Sequence, residues 1–195
     1  MYRESDERDA PPLLARFDLH PVRWYEDLLR PLAEPLRVPP PDGVEVVAWD
    51  PGRQDELLVV RNAAFADHWG SVPVSSAQWR DELEGEETRS DLSLMAVADG
   101  AVIGFSRNEF YEQDEQLSGR RDGWIGLLAT LREWRGRGVA SALVAASLER
   151  FRAAGFTHAM IGVDTDNTTG AAGLYRRLGF EPVHRSVAYE RRLTP

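Results

Sequence analysis

Two spacings of apolar residues alternate along this chain after residue 43. Runs or strict alternation mark strands, and i, i+3, i+4 repeats mark helices. Residues 44–49 read as a strand. Asp50-Pro51 follows as an N-cap with proline at the first helical position. Leu57, Val60, Ala63 and Ala64 then share one helical face, ending near Phe65. Ser75-Ser76-Ala77-Gln78 has the form of a capping box and predicts a second helix through Leu83. Residues 92–98 and 101–110 flank Asp99-Gly100, a two-residue hairpin signal. Residues 111–122 read as a polar loop, and 124–131 as a strand apolar on both faces, hence central. Ala140, Leu143, Val144, Ser147, Leu148 and Phe151 put a long helix over 138–154, which Gly155 stops. A buried strand at 159–163, a helix at 168–178 and one or two closing strands at 183–193 complete the order. The strand–helix–strand unit across 124–163 makes its two strands parallel. The fold class is therefore α/β, a mixed sheet with helices on both faces.

The leading fifth differs. Eight of the twelve prolines precede Asp42. Residues 1–12 are charged and expected to be mobile. Residues 21–30 read as a strand, and 31–41 as a stiff, Pro-rich linker. The expected division is an N-terminal extension and linker at 1–41, then one domain at 42–195.

Composition narrows the function. A content of 43% hydrophobic and 28% charged residues supports a packed core. A net charge of -9 argues against a nucleic-acid partner and suits a cationic substrate. With no cysteine there is no thiolate nucleophile, thiolate metal site or disulfide. No apolar run reaches the roughly 20 residues of a membrane span. The charged start is unlike a signal peptide, so a cytoplasmic protein is expected, without metal or membrane partner.

The chemistry concentrates at Arg135-Gly136-Arg137-Gly138-Val139-Ala140, between a strand and a long helix. Two glycines let backbone N–H groups approach a ligand that a Cβ would push away. Those groups lie at a helix N-terminus, where unpaired donors and the positive dipole end favour a phosphate. The order Gly-x-Gly-x-x-Gly with a downstream acid is absent, so a dinucleotide-binding Rossmann unit is excluded.

Element order and two motifs resemble the GCN5-related N-acetyltransferase (GNAT) superfamily over residues 44–193. The first motif is Arg/Gln-x-x-Gly-x-Gly/Ala, here Arg135, Gly138 and Ala140. The second is Asn167 followed by a helix ending Leu174-Tyr175…Gly179-Phe180. The resemblance implies a mostly antiparallel sheet whose parallel fourth and fifth strands, 124–131 and 159–163, splay apart at an acetyl-CoA site. It implies that Leu128, Ala129 and Thr130 offer backbone groups to pantetheine, with an N–H near Leu128 polarising the thioester carbonyl. Amides of Gly136, Arg137, Gly138, Val139 and Ala140 would hold the pyrophosphate, with Arg135 and Arg137 adding charge. Asn167 would bind the pantetheine arm or a water, and Tyr175 would protonate the leaving thiolate.

The base is less plain. Gly126 stands where relatives often carry an acidic residue. Glu109 and Glu112 at the end of the third strand, Asp67 or His68 after the first helix, and Asp122 are the substitutes. Trp69 and Trp79 are candidates to wall an acceptor pocket. The implied activity is acetyl-CoA-dependent N-acetyl transfer to a small-molecule or peptide primary amine by direct attack in a ternary complex. The other reading is a catalytically silent acyl-CoA-binding module with a sensing or assembly role. Residues 23–43 resemble the junction in tandem, mycothiol synthase-like GNAT proteins. There the stretch is the last strand of a first domain, so here it is expected to add to the edge of its own domain or to form a homodimer.

Overall fold

The computed structural model describes residues 2–4, 10–166 and 170–191. The chain falls into two compact units, residues 30–160 and the pair of segments 1–29 and 161–195.

The larger unit is built on four antiparallel strands in the order β6-β5-β4-β3. They are β3 (Val44–Ala48), β4 (Leu94–Ala98), β5 (Ala101–Phe110) and β6 (Asp122–Thr130). Asp99 (φ 50) and Gly100 (φ 81) close the hairpin between β4 and β5 in the left-handed region, as the predicted turn requires. Asp50 accepts a hydrogen bond from the Gly52 amide at 2.8 Å and starts one turn of 3-10 helix, which runs into α2 (Gln54–Phe65). Ser75 and Gln78 form the predicted capping box of α3 (Ser76–Leu83). On this face Leu57, Val60 and Ala64 of α2 and Trp79 of α3 pack on Trp49, Met95, Val102, Phe105 and Ala129. Ala63 is exposed, so the buried stripe of α2 is narrower than its apolar composition suggests. The opposite face is covered by α5 (Val139–Ala153), whose Val139 and Leu143 meet Val44, Leu94, Ala96, Ala98 and Ile103. Helices thus lie on both faces of this sheet.

A buried polar cluster ties α5 to β5. Asn108 Nδ2 donates to the Leu92 carbonyl at 2.8 Å and to Ser147 Oγ at 3.1 Å. Ser147 Oγ in turn donates to Ser106 Oγ at 3.0 Å. Each member has a partner, which is the condition for keeping polar atoms in a core.

The expected loop at 111–122 contains a helix, α4 (Glu112–Ser118). Its sequence lacks an apolar stripe, and Leu117 is exposed, so no periodicity announced it. Glu112, Asp114 and Glu115 sit in the first turn, where the helix dipole favours anions, and Gly119 (φ 68) terminates it.

In the smaller unit β8 (Glu181–Glu190) lies between β1 (Tyr2–Glu4) and β2 (His20–Pro31), antiparallel to both. The leading residues, expected to be mobile, supply β1 and α1 (Ala10–Ala15). The predicted strand at 21–30 is therefore real and pairs within its own chain. The buried Glu26 of β2 faces Arg185 of β8, which donates to it at 2.5 Å, and accepts from Arg176 of α6 (Ala171–Arg177) at 3.0 Å. The Thr165 amide after β7 (His158–Asp164) donates to the Trp24 carbonyl at 3.0 Å. No helix among the described residues is long and apolar enough to cross a membrane.

Candidate active site

The Arg135–Ala140 turn bends through two left-handed glycines, Gly136 (φ 72) and Gly138 (φ 95). Gly138 is the N-cap of α5 and offers no side chain to its first amides. Those N–H groups have no partner inside the helix, and among the described residues no N-cap side chain accepts from them at the positive end of this 15-residue helix. An atom placed at the Cβ position of either glycine would meet nothing within 4 Å, so it is the left-handed φ and not crowding that calls for glycine. The arrangement fits a diphosphate.

The two arginines of the turn differ in engagement. Arg135 Nη1 donates to Asp67 at 2.8 Å, Nη2 to the Ala64 carbonyl at 2.6 Å, and Nε to the Thr130 carbonyl at 3.4 Å. It braces the turn against the end of α2. Asp67, held by that guanidinium and by Arg132 nearby, has its carboxyl pKa lowered from 3.8 to about 2. Arg137 is exposed and lies 5.0 Å over the Trp134 ring. Among the described residues it has no ion-pair partner, which leaves its charge available.

Leu128, Ala129 and Thr130 form the last turnless stretch of β6, opposite Ser106, Phe105 and Gly104. Ala129 comes so close to β5 that a Cβ on Gly104 would stand 2.6 Å from its carbonyl oxygen. The Thr130 hydroxyl is buried without a partner among the described residues.

Between Arg107 and Asn108 the register of β5 against β6 shifts: Asn108 faces Ile125, but Arg107 faces Leu127. Gly126 is the extra residue of this bulge, and bulges re-aim side chains. A Cβ added at Gly126 would stand 2.2 Å from Glu109 Cδ and 2.3 Å from both carboxylate oxygens. The Glu109 carboxylate thus occupies the volume that a side chain at position 126 would fill. It is 8% exposed, whereas Gly126 itself is open to solvent. Glu109 Oε1 accepts from Arg107 Nη2 at 2.7 Å, and Oε2 accepts from the Tyr111 hydroxyl at 2.7 Å. Arg107 Nη1 reaches Glu82 of α3 at 2.7 Å. Burial and the bond to Glu109 push the Tyr111 phenol well above its ordinary pKa, so it remains a donor.

The other carboxylates named from the sequence have different surroundings. Asp67 is tied to Arg135, and Asp122 accepts from Arg120 at 2.8 Å. Glu112 is exposed on α4. Trp79 is buried in the core cluster and Trp69 is half-exposed; His68 packs its ring 4.6 Å from Phe65. Tyr175, in the smaller unit, is 6% exposed and packs edge-on to Phe180. Burial raises its pKa far above the ordinary phenol value, and among the described residues its hydroxyl has no hydrogen-bond partner. A phenol in that state donates rather than accepts a proton. Asn167 lies outside the described residues. Sequence reasoning missed Arg107, Tyr111 and Glu82. A partial signal was present, since Arg107 and Glu109 share one face of the strand and Tyr111 follows at the same spacing, but Ser106 and Asn108 between them are polar too and masked the pattern.

Residues 56–180 match the family model described as Acetyltransferase (GNAT) family. Curated relatives named mycothiol acetyltransferase include one from Thermobispora bispora, 30% identical over 98% of this chain and 65% of its own length. Another, from Salinispora tropica, is 32% identical over 97% of this chain and 62% of its own length. The chain spans about three fifths of the length of the curated relatives it matches. Among solved structures, a GCN5-related N-acetyltransferase from Sphaerobacter thermophilus superimposes with a TM-score of 0.80 at 27% identity, over 96% of this chain and 57% of that one. The mixed α/β architecture is accordingly the GNAT fold expected from the motifs.

Proposed function

This chain belongs to the acetyltransferase (GNAT) family, and we propose that it moves an acetyl group from acetyl-CoA directly to a small-molecule primary amine. The observation that carries the reading is the Glu109 carboxylate held in the volume beside Gly126. A strand without an acid at position 126 would suit a silent acyl-CoA-binding module, but Glu109 supplies a carboxylate there from the neighbouring strand.

Acetyl-CoA supplies an activated acyl thioester when bound. The amides of Gly136 to Ala140 bind its diphosphate, and Arg137 adds an uncommitted positive charge. Arg135 acts by bracing the turn on Asp67. Backbone groups of Leu128, Ala129 and Thr130 bind the pantetheine arm in the manner of an added strand, and an N–H near Leu128 donates to the acyl oxygen. Glu109 receives the proton of the acceptor ammonium, directly or through one water, so that nitrogen attacks as the neutral amine. Tyr175, kept protonated by burial, delivers a proton to the departing sulfur. Asn167 is assigned to the pantetheine arm or its water on the family resemblance alone. The net charge of -9 favours approach of a cationic acceptor.

The test is release of free thiol from acetyl-CoA with a panel of amines, including amino sugars, polyamines, peptide N-termini and the acceptor for which the mycothiol acetyltransferases are named. Turnover on a small amine that falls at least 100-fold in Glu109→Gln supports the reading. Acetyl-CoA binding without thiol release on any amine would replace it with the silent module.

A further inference from the structure

We propose that Tyr111 and Arg107 are positioning residues, which hold the Glu109 carboxylate in one orientation over Gly126 so that its remaining lone pairs meet the acceptor ammonium. This rests on Glu109 acting as the base.

A carboxylate has about four acceptor sites. Two are taken, one per oxygen, by Tyr111 and by Arg107 at 2.7 Å each. Donors on both oxygens fix the plane of the group and leave one lone pair on each oxygen for an ammonium or a water. The donors are themselves braced by aromatic rings. Arg107 lies 5.9 Å over Trp79, and Tyr111 meets Trp124 edge-on at 6.1 Å. Trp124 is the cross-strand partner of Glu109, so the brace and the carboxylate share one register pair. Arg107 and Glu109 alternate along β5, which puts both side chains on the face covered by α3, and Tyr111, just past the end of the strand, turns its hydroxyl back to Glu109.

Charge makes the arrangement suit a cation. Arg107 divides its two terminal nitrogens between Glu109 and Glu82, both at 2.7 Å. One guanidinium between two carboxylates leaves one unit of negative charge, which one ammonium would neutralise. The charged and titratable groups facing Glu109 are Arg107 on its own strand, Tyr111 just past the strand's end and Glu82 from α3, with Glu87 acting on Tyr111 from the segment that follows α3. A structural role alone would not need Arg107 to be shared in this way.

The experiment is the pH profile of kcat/KM for full-length protein and three variants, with separate KM values for acetyl-CoA and amine. Tyr111→Phe removes a hydrogen bond to the ionised carboxylate, so the acid limb moves up by about one unit and kcat falls roughly 10-fold. KM for acetyl-CoA stays unchanged. Glu82→Gln removes a competing negative charge near Glu109 and moves the acid limb down. Glu82 is 38% exposed, so that variant keeps its fold. Opposite shifts from two conservative changes are not a signature of loosened structure. Unshifted limbs in both variants, with Glu109→Gln inactive, would overturn the positioning role and leave the base in place. A Glu109→Gln enzyme with wild-type turnover would overturn both.

Discussion

Gly126→Ala is a minimal change with a large expected consequence. The new Cβ would lie 2.2–2.3 Å from the Glu109 carboxylate. Ordinary contact needs roughly 3.4–3.5 Å between such atoms, so the carboxylate must retreat by about 1 Å. Its backbone does not resist, because Gly126 is not among the positive-φ residues. The side chain therefore moves, and the two 2.7 Å bonds to Arg107 and Tyr111 stretch or break. Hydrogen bonds to charged groups contribute about 1.5–3 kcal/mol each, but both donors keep alternatives: Arg107 its bond to Glu82, Tyr111 a solvent-facing side. Replacing a strand glycine by alanine returns about 0.5–1 kcal/mol. The net loss of stability is about 1–2 kcal/mol, a fall in Tm of roughly 2–8 °C for a chain of this size. Activity should suffer more, since a displacement of about 1 Å at a reacting group costs around 100-fold. Thiol release at saturating acetyl-CoA measures kcat/KM for the amine, and a melting curve measures stability. The double variant Gly126→Glu with Glu109→Ala puts a carboxylate back into the same volume from β6, and should recover at least 10-fold over Gly126→Ala. A Gly126→Ala protein with wild-type kcat/KM would refute the reasoning.

Tyr175→Phe should lower kcat about 10–100-fold with unchanged acetyl-CoA affinity by calorimetry, because only the proton donor is lost; an unchanged rate removes Tyr175 from the reaction. For Asp67 the folded pKa of about 2 lies below its ordinary 3.8. Its pairing with Arg135 therefore stabilises fully above about pH 5, and that contribution is lost as pH falls through 4 towards 2. Asp67→Asn should be less stable than wild type at pH 7 by a fraction of a kcal/mol, since the group is partly exposed, and the two melting curves should converge near pH 2. Gly138→Ala forces a side chain to φ 95 and should raise KM for acetyl-CoA at least 10-fold by moving the first amides of α5. Glu26→Gln should cost about 2 kcal/mol in urea denaturation by leaving Arg176 and Arg185 without their shared carboxylate.

Local chemistry made much of the fold legible. The Asp99-Gly100 turn and the Ser75 cap are short-range devices whose geometry depends on residues within three or four positions. The long helix over 139–153 has enough apolar repeats to be read without ambiguity. α4 escaped because its stability rests on charge at its first turn and a glycine stop rather than on a buried stripe. The leading segment misled through composition: charge and proline suggested mobility, yet β1 pairs with β8, a contact that only distant sequence supplies.

The chemistry divides along the same line. The sequence by itself determined the two-glycine turn ahead of α5, because left-handed glycines at a helix start are set by local backbone geometry alone. It also determined that position 126 has no acid. What fills that position was decided by tertiary structure. Glu109 is seventeen residues away in sequence and reaches Gly126 only through pairing of β5 with β6 and the one-residue bulge between them. Its two donors come from β5 and the residue just past its end, their tryptophan braces from α3 and β6, and their convergence depends on register rather than on any motif. A backbone turn at a helix start is written in a few consecutive residues. A side-chain carboxylate whose position depends on strand register is not.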